Sequence, residues 1–310
     1  TDLAKSCYAT AYAMRGVAYY NLMRLFCEPY NKEKAEEQLG LSIVTRFDME
    51  ARPKRSSLKE IATLIEEDFK KAISYHSKSE IYRYTEDVVK AYLARLYFWT
   101  QNWEQAIPVA KEILDAYPLV EGAVYTDMLS ARYAQQGNVL LRSYLLTSSS
   151  GDVNYNSAKG YLPVKPVSKR FIDLFEEKER DVRYAFSFNA KREALKIPMA
   201  CVRSAEMCLI LAESHAYLNQ TKEALDYLNL LRSKRITGYT PYTMGNLPAV
   251  DEYALVRINA EGNAFTPLLW AIHCERRKEL FMEGDRWFEL KRNGCPEFWC
   301  AKDGLKYETQ

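Results

Sequence analysis

Glycine and proline are scarce, at 12 and 11 in 310 residues. Such a composition excludes collagen-like and Gly/Pro-rich disordered classes, and it fits helices joined by short turns. Histidine is scarcer still, with three in the chain. No His-Glu-x-x-His, no Gly-x-Ser-x-Gly, no phosphate-binding glycine loop and no dinucleotide fingerprint occurs. No apolar run reaches the ~18 residues that a membrane-crossing helix needs. Charge of one sign is also missing: Lys+Arg 43 against Asp+Glu 41 leaves a net +2. That balance offers no electrostatic footprint for nucleic acid or an anionic membrane surface.

What is present is tyrosine, 23 residues within an aromatic share of 13%. Tyrosine offers a flat apolar face with a polar tip, useful in cores and for stacking on sugars. With 48% hydrophobic and 27% charged residues the chain has an ordinary globular balance. Seven cysteines occur: Cys7, Cys27, Cys201, Cys208, Cys274, Cys295 and Cys300. An odd count leaves at least one thiol free or bridging between chains. Cys201 and Cys208, read as two turns apart on one helix, lie too far apart to pair with each other. Cys295 and Cys300 lie in a non-helical tail, where pairing stays open. His273, Cys274, Cys295 and Cys300 are metal-capable, but their spacing matches no common zinc module. Buried free thiols are the default reading, and no metal or cofactor is expected.

Taken in order, the chain reads as helix pairs. Asp2 to Phe26 is one long helix, with Leu3, Cys7, Met14, Val17, Ala18, Leu22 and Leu25 as its expected apolar face. Tyr19, Tyr20 and Phe26 widen that face. After a polar connection, Ser57 and Glu60 form a Ser-x-x-Glu cap ahead of a helix carrying Ile61, Leu64, Ile65, Phe69 and Ile73. Glu86 to Thr100 and Trp103 to Tyr117 give the clearest helical hairpin. Leu93, Ala94, Tyr97, Trp103, Ala106, Ala110, Ile113 and Pro118 fall at tetratricopeptide spacing. Cys208 to Arg235 repeats the pattern with Leu211, Ala212, His215, Ala224, Leu228 and Leu231. Such repeats bury their faces only on neighbours, so helices distant in sequence are expected to stack. His215 sits at a packing position within them.

Between the repeats the texture changes. Asn138 to Leu146 suits a strand, Ser148 to Tyr161 is a polar loop dotted with aromatics, and Val167 to Phe175 predicts a short helix. Asp152, Asn154 and Asn156 space oxygens as in the start of a calcium loop, but the glycine and distal glutamate are absent. Ile236 to Pro267 is a second irregular region. The whole is expected to be one domain over 1–310, with helical units at 2–27, 57–118, 202–235 and 267–292 and irregular inserts at 138–200 and 236–266.

Glu275 to Arg292 (ERRKELFMEGDRWFELKR) is densely charged. Read as one helix, it places Leu280, Gly284, Trp287 and Lys291 on one face. Arg276–Glu279 and Glu283–Arg286 then form i,i+3 pairs of opposite sign. Gly284 costs about 1 kcal/mol in a helix interior, which points to another segment passing close by, and Trp287 reads as a core anchor. The charges read as an ion-laced docking helix rather than as acid–base chemistry.

This stretch resembles the C-terminal signature helix of the SusD/RagB family, surface nutrient-binding lipoproteins of Bacteroidetes. AMRGVAYYNLMRLF is similar to the family's first conserved helix, and the stretch around Glu60 to Ile73 is equally familiar. Phe175, Asp181 and Arg183 match its Pro…Phe…Asp-x-Arg stretch. The resemblance runs from about Lys5 to Arg292. The join from Arg183 to the helix expected at Val202 is shorter than in relatives. The resemblance implies a mainly α fold of about four tetratricopeptide-like units with little β and a loop-rich ligand-binding side. It implies capture of a glycan or other oligomeric nutrient at the outer membrane, without catalysis, and delivery to a SusC-like TonB-dependent transporter. It also implies a lipid anchor on a cysteine outside the numbered chain, since Ala4-Lys5-Ser6 is a poor lipobox for Cys7. Thr1 to Thr10 lacks the parts of a signal peptide, and a chain trimmed at both ends is expected.

No family motif fixes ligand contacts, so those are read from residue type. Tyr155, Tyr161, Tyr239, Tyr242 and Trp299 are aromatic residues in loops, suited either to stacking on pyranose rings or to anchoring loops. Two other functions stay open: a tetratricopeptide scaffold gripping peptides without glycan binding, and a glycoside hydrolase needing two carboxylates across a cleft.

Overall fold

The computed structural model describes residues 1–78, 84–130, 139–142, 160, 162, 165–196, 198–302 and 305–308. Helices dominate them: α1 (Asp2–Phe26), α2 (Leu58–Ile73), α3 (Glu86–Trp99), α4 (Trp103–Ala116), α5 (Gly122–Ser130), α6 (Lys169–Ile172), α7 (Val182–Ser187), α8 (Ser204–Tyr217), α9 (Thr221–Ser233), α10 (Pro267–Glu279) and α11 (Asp285–Arg292). Among the described residues six short strands form three antiparallel pairs: β1 (Leu39–Ser42) with β2 (Arg55–Ser57), β3 (Val139–Arg142) with β4 (Cys201–Arg203), and β5 (Trp299–Lys302) with β6 (Leu305–Glu308).

Local chemistry accounts for the helix starts. The Ser57 hydroxyl accepts from the Glu60 amide and the Glu60 carboxylate accepts from the Ser57 amide, a complete capping box for α2. Thr85 caps α3 and Thr266 caps α10 in the same single-bonded way, Pro267 supplying the first-turn proline of α10. Stacking then follows the repeat pattern. α1 packs on α2, α3 on α4, and α8 inserts between α4 and α9. Ala94, Ala106, Ala110, Ala212 and Ala224 are all fully buried, so the backbones approach closely at these small side chains. The Trp103 and Tyr217 rings stack at 4.2 Å with 7° between their planes, joining the two repeats. Every residue of α8 from Ser204 to His215 is buried, which makes it the central helix.

Helix α1 is turned differently from its sequence reading. Leu3, Cys7, Met14, Ala18, Leu22, Leu25 and Phe26 are exposed, and of the expected face only Val17, Tyr19 and Tyr20 are buried. The buried face is Ala9, Ala13, Gly16, Val17, Tyr19, Tyr20 and Met23. The reason is close packing on α2: a Cβ at Gly16 would lie 2.6 Å from Phe69 Cε1. The small side chains win the interface, and the larger apolar stripe faces outward.

Three further boundaries differ from the sequence reading. The helix expected over Val167 to Phe175 is the four-residue α6 followed by turns. Val202 belongs to β4, with Val139 opposite Arg203 and Arg142 opposite Cys201, and α8 begins at Ser204. Glu275 to Arg292 is two helices, α10 and α11, not one. Gly284 has φ +78 and caps α11, and nothing lies within 4 Å of the Cβ it lacks. The glycine therefore serves a left-handed backbone, not a close approach. Cys295 is a free thiol donating to the Lys291 carbonyl at 3.2 Å, so it does not pair with Cys300.

Candidate functional site

The signature segment carries two separate arrangements. The first is a buried ion network. Glu279 has no exposed side-chain surface and accepts from Arg203 at 2.6 Å, Arg235 at 2.9 Å and Arg183 at 3.2 Å. Glu283 accepts from Lys196 at 2.6 Å and from Arg203 at 2.8 Å. Glu275 bridges Lys278, Arg232 and Arg183 at 2.5, 2.8 and 2.9 Å. Asp181 caps α7 and pairs with Arg183 at 2.7 Å. Burial alone would raise these carboxylic pKa values. Arg235, Arg203 and Arg183 nevertheless hold Glu279 well below its ordinary range, and Arg203 with Lys196 holds Glu283 at about 2. Glu275, Glu279 and Glu283 are thus held ionised by their cationic partners, so none of the three is poised for proton transfer. The expected i,i+3 pairs do not form: Arg276 binds Asp285 and Arg286 binds Glu289. Arginines from β4, α7 and the end of α9 take the glutamates instead.

The second arrangement is a pair of adjoining cavities. A cavity of about 410 Å³ lies between the α6 segment and residues 280–289, lined by Phe171, Phe281, Met282 and Trp287 with Arg276 and Arg277. Trp287 is 59% exposed. It is not a core anchor: α11 docks through Phe288, whose ring lies 3.8 Å from the Arg24 guanidinium and edge-on to Trp99. A second cavity of about 900 Å³ lies between the α6 segment and the 251–257 loop, with Trp270 and His273 among its lining residues. Ser168, Arg277 and Arg286 line both. His273 is buried and its pKa is pushed well below the usual value, first by burial and then by Arg277 and its arginine neighbours. A large exposed indole beside a cavity with polar rims can stack on a ring while guanidinium and amide groups bond its substituents.

The aromatic residues singled out from sequence lie apart from these cavities or outside the described residues. Tyr155, Tyr161 and the Asp152 loop fall outside them. Tyr239 is half-buried and lines neither cavity. Tyr242 packs beside Ala212, Leu228 and Ile272, under the Arg232 guanidinium at 3.8 Å, and exchanges two hydrogen bonds with Asn229. That is the geometry of a loop anchor. Trp299 lies on β5 opposite Glu308. Sequence reading missed Trp287 as a surface residue because a continuous helix would have turned it inward. Glycine at the position now seen as a left-handed cap was the available signal. His215 is buried as expected, 2.5 Å from Gln220 and stacked on Tyr227.

Comparison with known proteins follows the same division. Residues 75–309 match the family profile described as "SusD family", and residues 1–98 match one described as "Starch-binding associating with outer membrane". No curated protein matches the chain. A SusD superfamily protein from Bacteroides vulgatus shares the fold with a TM-score of 0.72 at 20% identity, over 97% of this chain and 70% of that one. One from Bacteroides thetaiotaomicron gives 0.69 at 22%, over 92% and 67%. A SusD-like carbohydrate-binding protein from Bacteroides vulgatus gives 0.67 at 19%, over 98% and 68%. With a fold built from tetratricopeptide-like pairs, a signature segment locked by buried arginines and a family profile matching most of its length, the chain belongs to the SusD family.

Proposed function

We propose that this protein binds a glycan or another oligomeric nutrient at the outer-membrane surface and hands it to a SusC-like TonB-dependent transporter. Family membership and the outer-membrane description of the profile matching residues 1–98 support this reading. A lipid anchor outside the numbered residues belongs to the same proposal, as does the absence of catalysis. The observation that carries ligand binding is Trp287, more than half exposed and lining a cavity together with Phe171, Phe281, Met282 and the Arg276 and Arg277 side chains. An open indole beside a concave, partly apolar surface is the arrangement that ring stacking needs. Trp287→Ala should weaken glycan affinity about tenfold, within the range of aromatic stacking energies. It should leave melting unchanged, because α11 docks through Phe288. Titration calorimetry against a panel of oligosaccharides reads the first effect. Unchanged affinity for every ligand that binds removes Trp287 from the site.

A second reading, a protein-interaction scaffold without glycan binding, is favoured by the outward stripe of α1: Leu3, Met14, Leu22 and Leu25. Contiguous exposed apolar surface marks interaction faces. Binding of oligosaccharides unaffected by Leu22→Glu supports the first reading. Loss of a protein partner on that change, with no glycan bound by the wild type, supports the second.

A further inference from the structure

Arginine is unevenly satisfied in this fold. Arg183, Arg203, Arg232 and Arg235 each meet buried carboxylates. Three of the four arginines that line the larger cavity do not follow that rule. Arg170 donates to the Tyr253 carbonyl at 3.0 Å, and Arg257 to the Ala254 carbonyl at 3.4 Å. Neither has a carboxylate at ion-pairing distance among the described residues. Arg277 is the extreme case. It stands on α10 between the two cavities, its Nε is buried without a hydrogen-bond partner, and among the described residues no carboxylate pairs with it. Its guanidinium lies 5.9 Å from the Phe171 ring centroid. Arg286 also lines both cavities, paired with Glu289.

The carboxylates that face this space are few. Asp251 and Glu297 line the larger cavity and Asp285 and Glu289 the smaller one. Asp285 is held by Arg276, and Asp251 accepts from the Tyr253 amide at 2.9 Å. At Arg277 burial, and then the neighbouring Arg286, disfavour the charged form against Glu289, Cys274 and Asp251. A guanidinium kept charged in such surroundings needs an anion, and its planar fork matches a carboxylate or sulfate in two-point contact. His273 adds a buried Nε2 without a partner beside the same cavity.

We propose that the paired cavities bind an acidic sugar, whose carboxylate or sulfate ester is taken by Arg277 with Arg286 while a neighbouring ring stacks on Trp287. This rests on the glycan-binding reading above and narrows its substrate class. Neutral sugars would leave Arg277 unpaired; an oxyanion between the two cavities satisfies it. The stacking and ion-pairing groups lie on one continuous segment, α10 to α11, so a single oligosaccharide spans both.

The test is titration of the whole chain with three probes: oligogalacturonate, its carboxyl-reduced neutral form, and a sulfated galactan oligosaccharide. At least one acidic probe should bind about tenfold or more tightly than the neutral form, the effect of one charge-assisted contact. Preference for the first acidic probe identifies a carboxylate, and for the second a sulfate. Arg277→Gln should abolish the preference with no change in melting temperature. Arg277→Lys should restore part of it, as a point charge without the fork. Equal affinity for acidic and neutral forms, or a preference surviving Arg277→Gln, overturns the inference and leaves glycan binding standing. Failure of every acidic and neutral oligosaccharide to bind overturns both.

Discussion

Replacing Glu279 by glutamine tests the buried network at its centre. The side chain is fully buried and receives donors from three arginines, on β4, on α7 and just after α9. Glutamine keeps the shape but removes the charge, and it turns an amino group toward guanidinium donors. Three arginines then remain buried with too little negative charge to match them. Breaking one buried ion pair by removing a partner costs about 3–5 kcal/mol, because the remaining charge is stranded out of water. With three partners sharing one carboxylate, the upper part of that range applies. Total stabilities run to about 5–15 kcal/mol, so a third or more of the margin would be lost. At roughly 2–4 °C per kcal/mol for a large domain, the melting temperature should fall by about 10 °C or more. Far-UV circular dichroism with heat and with urea measures this, and an unchanged urea slope confirms that the same cooperative transition is compared. The control is Glu36→Gln, which removes an exposed ion pair with Lys59 and should leave the midpoint unmoved. A Glu279→Gln midpoint as high as the control's would refute the claim that burial makes this network decisive.

Acid should unfold the protein through the same groups. Glu283 is held at about 2 in the fold against 4.5 ordinarily, by Arg203 and Lys196 acting against burial. A depressed carboxylate contributes stability above its unfolded pKa and loses it as pH falls through the folded one. That is about 3 kcal/mol for Glu283, lost between about pH 4.5 and 2. Urea midpoints that stay flat across that window would contradict it. Gly16→Ala gains up to about 1 kcal/mol of helix propensity, yet its Cβ would meet the Phe69 ring at 2.6 Å. The balance should be a loss of about 1–3 kcal/mol by overpacking, and a raised urea midpoint would show that α1 and α2 can separate freely. Among the described thiols, exposed Cys7 and Cys295 should react with a disulfide reagent before the buried ones. Cys208, buried and pushed up to about 12 by that burial, should react only on unfolding; prompt labelling of Cys208 in the native protein would contradict its placement.

Local signals were readable from the sequence wherever the structure is made locally. The Ser57–Glu60 cap, the α3–α4 hairpin and the second repeat from Leu211 to Leu231 all lie where spacing put them. The resemblance carried by the signature segment also pointed to the right family. Faces and partners were harder. In α1 the larger apolar side chains outvote alanines and glycine in any hydropathy pattern, yet close approach to Phe69 favours the small ones. In α10 and α11, charges at i,i+3 spacing look like a solvated helix surface. Their true partners are 76 to 96 residues away for Glu279 with Arg203 and Arg183, beyond any local rule. The β5–β6 hairpin was missed although Asp303 and Gly304 between the strands are the dipeptide that favours a tight turn. The site was the least legible part. Whether Trp287 is open or buried depends on one glycine leaving the right-handed helical region, and a buried arginine without a carboxylate, like Arg277, is visible only once the ion pairs of the fold are assigned.

The last helix also holds the first. Lys291 on α11 donates to the carbonyl of Arg24 at 2.7 Å, in the final turn of α1, across 267 residues of sequence. The Arg24 guanidinium in turn lies over Phe288. During synthesis at roughly 5–20 residues per second, α11 leaves the ribosome about 13–50 seconds after α1. Throughout that interval the Arg24 carbonyl is left to water. The order of translation thus sets the order of completion: the repeat hairpins can assemble as they emerge, but the helix made first is finished last.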